Sequence, residues 1–83
     1  MNITEFVKKC KHEVIAHSFE EWGDPVSENE VFVVWQCKLL QNCKAMLFVP
    51  DYPDIYFEFT YDGDHGKLYM NVYHKERHRT IIT

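Results

Sequence analysis

Glycine and proline are scarce in this chain, three of each among 83 residues, which speaks against a linker or low-complexity segment and against disorder. Cysteine numbers three; an odd count does not fit a disulfide framework, and the expectation is reduced thiols. Bases are outnumbered, nine against thirteen acids, for a formal charge of −4. Without a basic surface to displace counterions, sequence-independent binding of nucleic acid is not expected. No apolar run approaches the ~20 residues that span a bilayer. Met1-Asn-Ile-Thr-Glu5 lacks the basic flank and apolar core of a secretory signal, so a cytosolic protein is expected. Also missing are a nucleophile motif, a phosphate loop and a metal-ligand series, and no catalytic residue, metal or cofactor is assigned.

What is present is apolar and aromatic, 46% and 16% of residues, enough for the core of one domain spanning residues 1–83. Asn2 with Glu5 forms a capping-box pattern. Ile3, Phe6, Val7, Cys10, Val14 and His17 then recur at three- and four-residue steps. Lys8, Lys9, Lys11, His12 and Glu13 fall opposite, so a helix is predicted from about Ile3 to Phe19. Glu20 to Asn29, with Gly23, Asp24, Pro25 and Ser27, reads as a loop. Val31 to Lys38 is dense in β-branched and aromatic residues. Leu39 to Asn42 turns the chain, Cys43 to Val49 returns, and Pro50 to Asp54 breaks the sheet.

Ile55 to Tyr61 alternates, with Phe57, Phe59 and Tyr61 on one side and Tyr56, Glu58 and Thr60 on the other. Asp62 to Gly66 is a turn. In Lys67 to Lys75, Leu68, Met70 and Val72 point inward while Tyr69, Asn71 and Tyr73 point outward. The tail Glu76 to Thr83 is charged, then briefly apolar at Ile81 and Ile82. The fold expected is α+β: an N-terminal helix packed on one face of a four-stranded antiparallel meander, α-β-β-β-β. Its second face, bearing Tyr56, Tyr69, Tyr73 and one side of the first strand, is aromatic enough to suggest a homodimer or a bound protein.

Each candidate for chemistry has a plainer structural explanation. Cys37 and Cys43 would face each other if the hairpin turned about Leu40, but a zinc site needs four ligands. The spacing of His65, His74 and His78 does not complete one, so structural thiols are expected. His74 and His78 among Lys75, Arg77 and Arg79 read as a solvated tail, with an anion-binding patch as the rival. Asp51, Asp54, Asp62 and Asp64 read as turn residues, since Asp62 to Gly66 is too short for a calcium-binding EF-hand loop. Trp35 reads first as core, because it lies in the most apolar strand. Asn42 fits a positive-φ turn position. The remaining possibility for Lys38, Gln41, Asn42 and Lys44 is a hairpin tip whose amines and amides grip an acidic partner or a small anion.

The order Val33, Val34, Trp35, Cys37, Lys38, Leu40, Gln41, Asn42, Lys44 and Ala45 resembles a family of short phage and prophage proteins of Gram-positive bacteria, grouped only as a domain of unknown function. The likeness continues through Tyr56 to Gly63 and Leu68 to Lys75, and more weakly into the helix. Cys43 departs from it, standing where an aromatic residue is more common in that family. The resemblance carries over no catalytic residue. It implies a phage accessory protein in the cytoplasm of a bacterial host, of a kind that binds a host protein and inhibits a defence or regulatory factor. The contacts expected are Trp35, Tyr56, Tyr69 and Tyr73 with the tip residues Lys38, Gln41, Asn42 and Lys44. Acids at Glu20, Glu21, Asp24, Glu28 and Glu30 could oppose a basic patch on the partner. The alternative is an oligomer that sequesters a nucleotide-like molecule in a pocket between subunits, lined by Trp35 and basic residues of the tail.

Overall fold

A computed structural model describes residues 1–75 and 81–82. Helix α1 spans Ile3–Trp22, followed by a single 3-10 turn at Glu28–Glu30. Strands β1 (Phe32–Leu39), β2 (Asn42–Phe48), β3 (Ile55–Asp62) and β4 (Lys67–His74) complete the order. They form one sheet in the sequence β1-β2-β3-β4, antiparallel throughout. The α-β-β-β-β meander expected from the sequence is the fold observed.

The helix begins where its cap is best. The Asn2 side chain accepts from the Glu5 N–H at 2.8 Å, and its amide donates to the Glu5 carboxylate at 3.1 Å. Its buried stripe is Phe6, Cys10, Val14 and Ser18. The helix runs past Phe19 to Trp22 because the indole has a seat there. It stacks on Tyr52 with centroids 3.7 Å apart and meets Phe57 edge-on. Gly23, at φ 68°, then ends the helix by donating its N–H to the Phe19 carbonyl. Ser18 is buried but satisfied: its hydroxyl donates to the Ile15 carbonyl and accepts from the Val26 N–H. That fastens the loop, with Val26 in the core, back onto the helix.

The core lies between α1 and one side of the sheet. Val33, Leu47, Phe57 and Val72 form one cross-strand row on that side, and Ala45, Phe59 and Met70 fall in the next. Leu47, Phe57, Phe59 and Ala45 are fully buried. The helix packs over β1, β2 and β3, so at β4 the cover runs out. Met70, expected inward, is 37% exposed for that reason.

Two expectations for β1 are corrected, both by its pairing. A β-bulge at Val34 inserts one extra residue: Val33 stands opposite Leu47, but Trp35 stands opposite Met46. Alternation would have kept Trp35 on the side of Val33; the bulge moves it to the far side of the sheet. Trp35 is therefore not core. The hairpin loop is Leu40-Gln41, so Leu39 pairs with Asn42 and Cys37 with Lys44 rather than with Cys43. Cys37 is exposed and Cys43 buried on opposite sides of the sheet, and all three cysteines are free thiols. Leu40, not Asn42, takes the positive φ, at 57°.

Of the tail, Ile81 and Ile82 are exposed. The expectations for Arg77, His78 and Arg79 lie outside the described residues.

Candidate functional site

The side of the sheet away from α1 has no second layer among the described residues. Its composition follows from strand parity. Phe32, Phe48, Tyr56 and Tyr73 are successive register partners across all four strands, an aromatic row the full width of the sheet. Phe32 and Phe48 have centroids 6.0 Å apart, and Phe48 and Tyr56 6.5 Å. These are spacings at which aromatic rings attract one another. The next row is Trp35, Met46, Glu58 and Asn71, and the one after is Cys37, Lys44, Thr60 and Tyr69. Tyr73 donates a long hydrogen bond of 3.4 Å to the Glu58 carboxylate, tying the first two rows together.

Phe32, Trp35, Tyr69 and Tyr73 are 39–50% exposed. At about 200 Å² per ring they alone present on the order of 400 Å² of aromatic surface, within the range of the largest apolar patch on an ordinary monomer. A shallow groove of about 400 Å³ lies at the aromatic end, lined by Val34, Phe48, Pro50, Pro53 and Tyr56. The charged residues that parity assigns to this face are Lys44 and Lys67 against Glu58 and Asp62. The face is formally neutral on a chain of charge −4.

The structure thus places Trp35, Tyr56 and Tyr73 toward one end of the open face, on β1, β3 and β4, and puts Lys44 and Tyr69 in a row further along it. It separates the tip residues. Lys38 is opposite Cys43, so it points to the helix side. The Asn42 side chain accepts from the Gly63 N–H at 3.1 Å. A Cβ on Gly63 would lie only 2.0 Å from the Gln41 carbonyl oxygen. Asn42 and Gln41 hold the first hairpin against the β3–β4 turn, a folding task the sequence reading did not assign to them. That reading also missed Phe32, Val34, Met46 and Phe48. Alternation along Cys43, Ala45 and Leu47 could have found Met46 and Phe48, and alternation with Val33 could have found Phe32; the face of Trp35 depends on the bulge.

The titratable groups do local work. Asp62 accepts from the Asp64 N–H and from His65 at 2.7 Å, and the His65 contact holds its carboxyl below the ordinary 3.8. Glu30 closes the 3-10 turn by accepting from the Ser27 hydroxyl and N–H, which lowers its carboxyl too. It is a capping acid, whereas Glu20, Glu21, Asp24 and Glu28 are exposed. Burial, and then the nearby Cys43 and Glu13, push the Cys10 thiol up to about 12. Asp51 and Asp54 stand near the start of β3 and Asp62 at its end, about 20 Å apart at strand rise. Among the described residues no three His, Cys, Asp or Glu side chains gather as metal ligands, and no helix is long and apolar enough to cross a membrane.

A helix-backed meander whose outer face is aromatic, of balanced charge and uncovered among the described residues defines a small α+β protein built around a surface. The chain belongs to a family of unknown function, DUF6275, whose model matches residues 5–83. No curated protein and no solved structure matches it.

Proposed function

We propose that this chain is a non-catalytic binding protein that grips a protein partner with its open sheet face. The observation that carries the reading is the aromatic row from Phe32 to Tyr73 with Trp35 beside it, all facing away from the core. Half-exposed aromatic side chains on a rigid sheet lose little conformational entropy on binding and are the residue types that dominate interface energies. The resemblance to phage proteins supplies the setting: the cytoplasm of a Gram-positive host, with a host defence or regulatory protein as the partner and its blockage as the outcome. Exposed acids on the helix and the following loop would speed encounter with a basic partner more than they would tighten it. Lys38, on the helix side, takes no part; Lys44 and Tyr69 are within reach on the open face.

The test is affinity capture from a Gram-positive lysate with the tagged chain, in parallel with Trp35→Ala, Tyr56→Ala and Lys38→Ala. One dominant host protein held by the parent and by Lys38→Ala, and released by the two aromatic variants, is the expected result. Recovery of no host protein, or capture indifferent to both aromatic substitutions, would sink the reading.

A further inference from the structure

β4 is an edge strand, open among the described residues. The Lys75 N–H donates to the Asp54 carbonyl at 2.6 Å. Backbone groups alternate direction along a strand, so Lys67, Tyr69, Asn71 and Tyr73 turn theirs toward β3. Leu68, Met70, Val72 and His74 turn theirs outward, and among the described residues no strand lies beyond them. The opposite edge is guarded, because β1 is broken by its bulge at Val34. β4 has no bulge, no proline and no acid over its eight residues. A long, regular, unprotected edge is a template for another strand. Its flanks are partly uncovered too: Met70 is 37% exposed on the helix side, since α1 packs mainly over β1 to β3, and Tyr69 and Tyr73 are half-exposed on the other.

We infer that β4 is a dimer seam, at which a second copy of this chain adds its own β4 antiparallel about a two-fold axis at Asn71, making one eight-stranded sheet. That register satisfies the whole edge. Leu68 pairs with the partner's His74 and Met70 with the partner's Val72, and symmetry repeats both, so every outward N–H of the strand finds a carbonyl. An antiparallel pair of identical strands is self-complementary in this way, whereas an unrelated peptide has to be matched to it. On the helix side Met70 and the partner's Val72 fill the step left between the two helices. On the open side Tyr69 stands beside the partner's Tyr73, an aromatic cross-strand pair of the kind that stabilises sheets. The only like charges opposed are Lys67 and the partner's Lys75, at the two ends. β4 itself carries no acid, and the two beside it, Glu58 and Asp62, stand one strand back from the seam on β3, with Asp62 opposite Lys67. The seam shares Tyr69 and Tyr73 with the partner-binding face proposed above but joins strand edges, so it leaves that face uncovered; the two faces become one continuous surface.

Sedimentation equilibrium of the full chain decides it. The dimer has twice the 10.0 kDa of the monomer. Met70→Pro deletes an outward N–H that the chain does not use internally, and Asn71→Lys sets two ammonium groups face to face on the axis while lying on an exposed position. Each is expected to weaken association by roughly tenfold or more, with the far-UV circular dichroism spectrum unchanged. High salt should restore the Asn71→Lys dimer by screening. In the wild type, amide exchange should be slow at Leu68, Met70 and Val72, and fast there in Asn71→Lys. A parent chain that sediments as a monomer at every concentration, or a dimer that both variants leave intact, would overturn the inference.

Discussion

Leu40 holds a left-handed backbone conformation that costs a residue with a Cβ about 1 kcal/mol, and it stands 83% exposed. Leu40→Gly should therefore raise the melting temperature by several degrees for a chain this size; a thermal melt showing no rise would place the strain elsewhere. Gly63 is the opposite case. Its Cβ would drive into the Gln41 carbonyl, so Gly63→Ala should cost about 2 kcal/mol, and Asn42→Ala about 1 kcal/mol through the lost bond to the Gly63 N–H. Denaturant titration of each measures this. None of it was legible in the sequence, because Asn42 and Gly63 are 21 positions apart and only the assembled sheet puts one turn against the other. The turn at Asp62 was legible, and it carries a pH signature. A carboxyl held below its ordinary value stabilises fully above that value and loses the stabilisation as pH falls through the lower folded one. The difference in stability between the parent and Asp62→Ala should shrink below about pH 4, read from melts across the acid range.

At the scale of elements, β2, β3 and α1 were readable because one period governs each of them. Phe57 and Phe59 alternate with Tyr56 and Glu58, and Phe6, Cys10 and Val14 recur at helical steps. β1 was readable as a strand but not by face. Val33, Val34 and Trp35 are all β formers, and nothing in their order marks Val34 as the extra residue. The helix end was misjudged by three residues for a similar reason: Trp22 is helical because Tyr52, far along the chain, offers it a stacking partner. The hairpin register has a chemical readout. Cys37 lies exposed on the open face, whereas Cys10 and Cys43 are buried, and Cys10 is kept protonated by burial to about 12. Brief alkylation at neutral pH should label Cys37 alone, with Cys10 and Cys43 reacting only after unfolding, as counted by peptide mass spectrometry. Labelling of Cys43 at the rate of Cys37 would mean the strand is paired one residue out of place.

For the whole molecule, the asymmetry between the two sides of one sheet is the main result. One side is closed by α1 around Leu47, Phe57 and Phe59; the other presents an aromatic row and balanced charge to its surroundings. A second aromatic face was foreseen from Tyr56, Tyr69 and Tyr73. Of its strongest part, Phe32 and Phe48 follow from alternation, whereas Trp35 joins them only through the bulge in β1. This face is a surface rather than part of the core, and the proposed role of that surface is to bind a partner. The most direct measurement is a pair of charge insertions on adjacent strands but opposite sides, Trp35→Lys and Leu47→Lys, each assayed for melting temperature and for retention of the captured partner. Trp35→Lys should melt within several degrees of the parent, its stem lying along the sheet with the ammonium in water, and should release the partner. Leu47→Lys should fail to fold, since it buries an unpaired charge. A Trp35→Lys chain that unfolds, or that folds and keeps its partner, would contradict the account.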